Sequence, residues 1–325
     1  MERRMFIAGL AATAAGARVA PAQPAAKVPV IGFLHPGSPE SGAPSFDALR
    51  EGLRDAGFAA DETIKIEARW ARGKPEALTQ LAQELVQLRV AVLAATARPS
   101  IEAARAATKE LPIVVNDLES DPVASGYVQS LAHPGGNITG LFLDAPSLCG
   151  KWLQQILDVV PNARKVAVLW DMTTGAYQLN AMKAAAEARS TEIVVMEFRD
   201  DAGLDGALEQ GLKQGPQAAI LLGSPLIRQG GSRIAEILAL RRIPAISQFR
   251  TFPDGGGLMS YGPDLVHLYR RLGPFVAKIL HGARPADLPI ERPTKFELVV
   301  NVKAAKALDV AIPGSLLMNA DTVIE

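Results

Sequence analysis

The sequence predicts an α/β protein made of two doubly wound lobes, each a parallel sheet with helices on both faces. Short apolar runs alternate with helical patterns over residues 28–115, stop in a polar segment rich in Pro and Gly, and then begin again. This alternation is typical of parallel sheets. The chain has 325 residues, and at about 100–200 residues per domain it is long enough for two such units.

The first lobe is predicted from four strands that alternate with three helices. Leu78, Leu81 and Leu85 recur at the spacing of one helix face, and Gly57 ends the helix before them. The predicted strands are 28–34, 63–70, 90–95 and 111–115, and the predicted helices are 45–56, 75–88 and 99–108.

A polar junction then separates the two alternating regions. Residues 116–122 and 133–137 flank a short predicted strand at 126–131, followed by a strand at 138–143 and a helix at 151–160. In the second lobe the predicted strands are 164–170, 192–198, 218–222 and 243–247, and the predicted helices are 175–189, 203–214 and 229–241. A helix at 264–281 and a strand at 296–301 complete the chain.

Joins at about 140, 258 and 293 predict a hinge of several strands. The first lobe is expected over 28–142 plus about 259–292, and the second over 143–258 plus about 293–325. Gly255, Gly256 and Gly257 adjoin the middle join, and glycine absorbs the backbone changes of lobe closure, so they are expected to act in the hinge.

Residues 1–22 are expected to be a cleaved signal peptide. Arg3 and Arg4 precede a short apolar run, and cleavage is expected near Ala22. The arginine pair resembles a twin-arginine export signal. No cysteine lies directly after the run, where a lipid anchor would be attached, and no later apolar stretch is long enough for a membrane span. A periplasmic protein without a membrane anchor is therefore expected.

Composition and motifs argue against several classes of function. Lys plus Arg and Asp plus Glu both total 34, so no basic excess indicates nucleic-acid binding. The single cysteine, Cys149, allows no internal disulfide and no Cys-based metal site. Phosphate-binding glycine motifs and a nucleophile elbow are missing from the sequence, which predicts neither an enzyme nor a cofactor. Asp117, Glu119 and Asp121 form either a cation site or, as we expect, turns.

Polar residues at the ends of predicted strands are the sequence evidence for a ligand-binding site. In open parallel sheets, ligands bind beyond the carboxyl ends of the strands, so two facing sheets place a small molecule between them. Two of these residues have alternative roles: Ser224 either faces the cleft or caps the next helix, and Asp171 either pairs with a ligand ammonium or acts as a cap. The candidate ligand-binding residues are Ser38, Thr96, Ala97, Ser100, Asn116, Asp117, Asp171, Ser224, Gln248 and Arg250.

Several strings along the chain closely resemble the substrate-binding proteins of ABC transporters, in the tryptophan/tyrosine-type uptake family. They include HPGGNITG at 133–140, GGLMSYGPD at 256–264, PADLP at 285–289 and PTKFELVVN at 293–301. The resemblance implies the type I periplasmic binding protein fold, three hinge strands and clamshell closure. It also implies an ABC permease and a cytoplasmic ATPase as partners.

Two departures from that family lie where a ligand is expected. Relatives usually have a Gly-rich run after the third strand, where this chain has Thr96-Ala97-Arg98-Pro99. After the strand at 164–170 they usually have Asn-Pro, where this chain has Asp171-Met172. Arg98 adds a cation and Asp171 an anion, which leaves the ligand class open.

The expected function is a monomeric periplasmic binding protein for a small polar solute, amino acid-like or a carboxylate, delivered to a membrane permease. A ligand-sensing module for a membrane receptor needs the same clamshell and remains an alternative. An exported hydrolase is a further alternative, because fold alone does not exclude it.

Overall fold

The structure, a computed structural model, describes residues 28–325. The predicted signal peptide and its cleavage near Ala22 lie outside the described residues. The strands are β1 Val30–His35, β2 Lys65–Trp70, β3 Val92–Thr96, β4 Ile113–Asp117, β5 Ile138–Phe142, β6 Lys165–Asp171, β7 Glu192–Phe198, β8 Ala218–Leu221, β9 Ala245–Ser247, β10 Met259–Pro263, β11 Phe296–Asn301 and β12 Thr322–Ile324.

The α-helices cover both faces of the sheets, and three short 3₁₀ helices lie at Pro75–Ala77, Met172–Thr174 and Pro285–Asp287. The α-helices are α1 Pro39–Asp55, α2 Leu78–Gln87, α3 Ala97–Ala107, α4 Ala145–Val159, α5 Tyr177–Glu187, α6 Asp201–Leu212, α7 Pro225–Gln229, α8 Gly231–Leu240, α9 Thr251–Asp254, α10 Leu265–Leu280, α11 Val302–Leu308 and α12 Gly314–Met318.

The first sheet has five parallel strands in the order β2-β1-β3-β4-β5. Strands β3, β4 and β5 are buried at every residue, as expected for a parallel sheet covered on both faces. Helices α1 and α10 pack together on one face, and glycine is required there: a Cβ on Gly52 or on Gly273 would overlap the backbone of the other helix. This contact joins α10, far along the chain, to the first lobe.

The second sheet has seven strands in the order β12-β11-β10-β9-β8-β6-β7. All neighbours are parallel except β10 and β11. This pair is antiparallel because the chain leaves the second lobe after β10 and returns from the first lobe into β11. The sequence prediction placed the residues of β10 in the first lobe, whereas Met259 and Ser260 pair with β9 in the second sheet.

We propose that the lobes divide where the chain passes from one sheet to the other, after Leu143, after Pro263 and after Glu291. The crossings lie side by side: Phe142 N–H donates to Glu291 O at 3.0 Å, and Asp264 N–H donates to Lys295 O at 3.1 Å. Arg292 and Asp144 form an ion pair across two of them, at 2.8 Å.

The glycines at 255–257 do not form the middle crossing. Gly255 lies against Ser232, and Gly257 lies against Phe252, so both pack inside the second lobe before β10 begins. A Cβ on Gly255 would overlap Ser232, and a Cβ on Gly257 would overlap the Phe252 ring, which explains the glycines at these two positions.

Two further differences concern short segments. Residues 126–131 form turns rather than a strand, because Pro122 O accepts the N–H groups of Tyr127 and Val128. Strand β12 was not predicted; it has three residues and pairs only with β11, which is too little sequence for a detectable pattern.

Candidate functional site

A cavity lies between the lobes at the carboxyl ends of β1, β3, β4, β8 and β9. Its empty volume is about 350 Å³, mouth included, but the centre of a water molecule reaches only about 30 Å³ of it. We call this space the central cavity. The first lobe contributes His35, Pro36, Thr96, Ala97, Asn116, Leu118, Glu119, Leu265 and Tyr269, and the second contributes Pro225, Arg228 and Phe249.

The two lobes are in contact around this cavity, which explains how little of it water reaches. Arg228 Nη1 donates to Ser41 O at 3.4 Å, from α7 to α1. Gln178 Nε2 donates to Leu118 O, also at 3.4 Å. The structure therefore represents a closed arrangement, and a ligand enters only when the lobes separate.

The end of β4 brings two carboxyl groups to the cavity. Asp117 Oδ1 accepts the N–H of Glu119 at 2.8 Å and that of Ser120 at 3.1 Å, which makes an Asx turn. The turn directs Glu119 toward the start of α3, where its Oε2 accepts the N–H of Arg98 at 3.1 Å. Glu119 thus lines the cavity, and Asp117 is fully buried behind it.

These carboxyl groups are hard to ionise in the closed structure. Burial raises the pKa of Glu119 well above its usual range, and the nearby Asp117 and Asp171 charges raise it further. Burial also raises the pKa of Asp117. A cation held at this point would relieve both effects, because an opposite charge stabilises the ionised carboxylate.

Unsatisfied polar atoms cluster at the same end of the cavity. Thr96 Oγ1, Asn116 Oδ1 and Asp117 Oδ2 are buried without a hydrogen-bond partner. Leaving such an atom unpaired costs about 1–3 kcal/mol. The amide and carboxylate oxygens are acceptors, so a ligand that supplies several N–H donors fits this end.

Ala97 adopts an unusual backbone conformation beside these atoms. Its φ is +61°, in the left-handed region that favours glycine. Such a conformation costs about 1–2 kcal/mol in an L-residue, and strain of this kind concentrates at functional sites.

The opposite side of the cavity carries one cation. Among the lining residues in the described part of the chain, Arg228 is the single Lys or Arg. His35, also in the lining, is neutral: burial, and secondarily the Arg228 charge, lower the pKa of its imidazole to about 3. Its Nδ1 accepts the N–H of Gly37 at 2.9 Å, which leaves the proton on Nε2.

The remaining wall is apolar or aromatic. Leu118, Phe249, Leu265 and Tyr269 line it, and the ring of His35 lies 6.5 Å from that of Tyr269. Apolar walls with a few polar groups are typical of small-molecule sites. The cavity therefore combines an acidic end, one guanidinium and an aromatic side.

Three of the ten predicted site residues line the cavity: Thr96, Ala97 and Asn116. Asp117 and Ser100 are fully buried and have unpartnered oxygens, but do not line it.

The other five predicted residues lie elsewhere. Ser38 caps α1 through a reciprocal contact with Ser41. Ser224 caps α7, which is one of the two roles predicted for it. Asp171 caps the 3₁₀ helix Met172–Thr174. Gln248 is buried with neither amide atom paired, and Arg250 pairs with Glu297 at 2.5 Å outside the cavity.

Two features singled out from the sequence also turn away from the cavity. The Arg98 guanidinium contacts Ser120 and Ser125 at 3.1 and 3.4 Å, and Arg98 does not line the central cavity. Burial raises the pKa of the Cys149 thiol to about 12, so this cysteine stays protonated at neutral pH.

Sequence reasoning missed several lining residues. His35 directly follows the last apolar residue of β1, so the strand-end argument was sufficient to find it. Glu119 was considered only as a turn or metal ligand. Arg228 and Tyr269 lie within helices, and only the packing of distant elements brings them to the cavity.

Two features are absent from residues 28–325. No helix there is both long and apolar enough to cross a membrane. In the same residues, no three His, Cys, Asp or Glu side chains are grouped closely enough to hold a metal ion.

The chain is similar to known substrate-binding proteins in sequence and in fold. A family model described as ABC transporter substrate binding protein matches residues 27–324. The chain is similar to the tyrosine-binding protein of Clostridioides difficile (strain R20291), with 26% identity over 272 residues that cover 82% of this chain and 78% of the relative.

Two solved structures have the same fold. An ABC domain in complex with L-Trp from Streptococcus pneumonia matches with a TM-score of 0.84 and 24% identity, covering 91% of this chain and 99% of the other. A ligand-free, open substrate binding protein with adhesive properties from Clostridium difficile matches with a TM-score of 0.65 and 22% identity, again covering 91% and 99%. The predicted two-lobed fold of type I periplasmic binding proteins is confirmed.

Proposed function

The chain belongs to the family of ABC transporter substrate-binding proteins, and on this premise we propose that it captures a free aromatic amino acid between its lobes. The observation that carries the proposal is the opposition of charges in the central cavity. The carboxyl group of Glu119 stands on the first lobe, and the guanidinium of Arg228 stands on the second. A zwitterion is complementary to both.

The acidic end suits an ammonium group. The amino acid's three N–H donors would pair with Glu119, with Asn116 Oδ1 and with Thr96 Oγ1, two of which lack partners in the closed structure. A bound ammonium also removes the cause of the raised pKa of Glu119, because it offsets the charge that burial disfavours.

The guanidinium side suits a carboxylate. Arginine presents a planar pair of donors that matches two carboxylate oxygens. Arg228 already reaches across the cleft to Ser41 O, at a long 3.4 Å. A ligand carboxylate would give it a stronger partner and would link the second lobe to the first.

The aromatic side supports a ring-bearing side chain. His35, Phe249 and Tyr269 provide ring surfaces, and aromatic pairs contribute about 0.5–1.5 kcal/mol beyond simple burial. The names of two relatives, a tyrosine-binding protein and an L-Trp complex, point in the same direction.

Closure around the ligand gives the transport role its mechanism. Ligand contacts to both lobes favour the closed state over the open one, by as much as the ligand's affinities for the two states differ. An ABC permease in the membrane would recognise the closed form and receive the solute, and a cytoplasmic ATPase would supply the energy for transport. We place the mature protein in the periplasm and assign it no enzymatic activity or cofactor.

Calorimetry on residues 23–325 with L-tyrosine, L-tryptophan and L-phenylalanine tests the proposal. Tyramine, which lacks the carboxylate, and N-acetyl-L-tyrosine, which lacks the ammonium, are the matched controls. Loss of one charged contact is expected to cost about 2–5 kcal/mol, or roughly thirty-fold or more in affinity. Absence of heat with all three amino acids, in protein freed of ligand by unfolding and refolding, would reject the proposal.

A further inference from the structure

A second space adjoins the central cavity where the chain crosses between lobes at Pro263 and Asp264. Its empty volume is about 1110 Å³, open mouth included, against about 350 Å³ for the central cavity. We call it the side groove. Phe249 and Leu265 line both spaces, so these two side chains form the wall between them.

The two halves of this wall come from different lobes. Phe249 follows β9 in the second lobe and is 5% exposed. Leu265 is the first residue of α10, which packs on α1 in the first lobe. The wall is therefore assembled by lobe closure, when a ligand is already in place.

The polar groups of the central cavity orient a bound amino acid so that its side chain faces this wall. The unpartnered oxygens belong to Thr96 and Asn116, and neither residue lines the side groove. The ammonium group of an amino acid pairs with them and with Glu119, and its carboxylate pairs with Arg228. Because Glu119 and Arg228 do not line the side groove either, the side chain is the part left to face Phe249 and Leu265.

The basic side chains that line the side groove already pair with acidic ones, so they offer little attraction to a charged group of a ligand. Lys295 pairs with Asp264 at 2.8 Å, and Arg250 pairs with Glu297 at 2.5 Å. With these charges paired, the groove provides space, together with apolar surface from Phe296.

We propose that Phe249 and Leu265 are specificity-determining residues that set the length of the side chain the site accepts. A side chain that ends at the wall allows closure, and a longer one prevents Phe249 from meeting Leu265. When the wall is removed, the excess length extends into the side groove. The inference rests on the proposed binding of an aromatic amino acid.

Titrations with L-tyrosine and O-benzyl-L-tyrosine test the wall, because the second compound adds one ring at the end of the first. The wild type is expected to bind O-benzyl-L-tyrosine at least ten-fold more weakly. In Phe249→Ala and in Leu265→Ala, that ratio is expected to fall below three. Val266→Ala is the matched control and should keep the wild-type ratio. Val266 lines the side groove but not the central cavity, and it is 51% exposed.

The outcomes separate the two proposals. If both wall variants bind L-tyrosine and keep the wild-type ratio, or if the wild type binds both compounds equally, the wall does not set side-chain length. If the wild type binds neither compound nor any other aromatic amino acid, the proposed function fails as well. Melting curves establish folding, and the half-buried Leu265 carries the test if Phe249→Ala does not fold.

Discussion

The Ser224 hydroxyl donates a 2.6 Å hydrogen bond to Asp171 Oδ2, which ties the end of β8 to the end of β6. The other carboxylate oxygen accepts two bonds from Thr173, one from its N–H at 2.8 Å and one from its hydroxyl at 2.7 Å. Asp171 is thus occupied within the second lobe, and its charge acts on the central cavity only from a distance, through Glu119.

Replacing Asp171 with Asn should therefore affect stability more than binding. The amide keeps one acceptor and loses the other, and a hydrogen bond to a charged group contributes about 1.5–3 kcal/mol. Burial also raises the pKa of Asp171, so the variant gains some stability by losing a buried charge, but the loss of hydrogen bonds to Ser224 and Thr173 is expected to outweigh this gain. We therefore expect a lower melting temperature, with less than about a three-fold change in affinity for L-tyrosine at pH 7. Calorimetry and a melting curve measure the two effects, and a thirty-fold loss of affinity would instead make Asp171 the ammonium partner.

Replacing Glu119 with Gln should have the opposite pattern. The variant keeps an acceptor for the Arg98 N–H but loses the charge that faces the ligand ammonium. We expect an affinity loss of about 2–5 kcal/mol, which is roughly thirty-fold or more. The ligand-free variant should melt higher than wild type at pH 7, because it no longer buries a carboxyl whose pKa is raised. Unchanged affinity would remove Glu119 from the site.

Affinity for the ligand should rise with pH through the pKa of Glu119. Below that pKa the carboxyl is protonated, so binding a cation must release the proton, at a cost of up to about ten-fold in affinity per pH unit. His35, with a pKa near 3, stays neutral above pH 5 and adds no slope.

Asp171→Asn should move the inflection of this pH profile to lower pH, because the Asp171 charge raises the pKa of Glu119. Glu119→Gln should flatten the profile. Titrations of L-tyrosine between pH 5 and pH 8 measure both, and a wild-type affinity independent of pH would show that no buried carboxyl binds the ammonium.

Replacing Arg228 with Gln should weaken the binding of a ligand that carries a carboxylate, with only a small effect on closure, because the contact with Ser41 O is long, at 3.4 Å. The variant loses the carboxylate partner and the contact with Ser41 O. We expect at least about a thirty-fold loss for L-tyrosine but little change for tyramine, which has no carboxylate. Arg241→Gln, at an exposed arginine of the same lobe, is the control. Equal losses for both compounds would indicate that Arg228 acts on closure alone.

The fold was predictable because burial leaves a local pattern, whereas the cavity was only partly predictable. Strands such as Ile113–Asp117 are buried on both faces and appear in the sequence as apolar runs. Thr96 and Asn116 then follow from the rule that ligands lie at strand ends. Arg228 and Tyr269 follow no such rule, because each reaches the cavity from a helix whose position depends on long-range packing.

Ser38 and Ser224 illustrate the reverse error. Both stand at strand ends, yet each hydroxyl binds the first turn of the following helix. A serine at that point has two competing partners, a ligand and the unpaired N–H groups in the first turn of the helix. The helix is the nearer of the two and is always present. Strand-end position alone does not distinguish the two cases.

Replacing Ala97 with Gly should stabilise the protein, against the usual effect of glycine. Elsewhere in a helix this change costs about 0.5–1 kcal/mol, because glycine loses more freedom on folding. At a φ of +61° the alanine side chain is itself strained, by about 1–2 kcal/mol, and glycine removes that strain. We expect a net gain of up to about 1 kcal/mol, measured by urea unfolding.

The control is Ala103→Gly, at a buried alanine within α3, and this variant should be less stable than the wild type. The affinity for L-tyrosine tests the role of the Ala97 methyl group in the site. Because Ala97 lines the central cavity, a smaller residue there should change L-tyrosine binding, whereas Ala103→Gly should not change it. A loss of stability in Ala97→Gly equal to that of the control would mean that the surrounding contacts fully offset the backbone strain at this position.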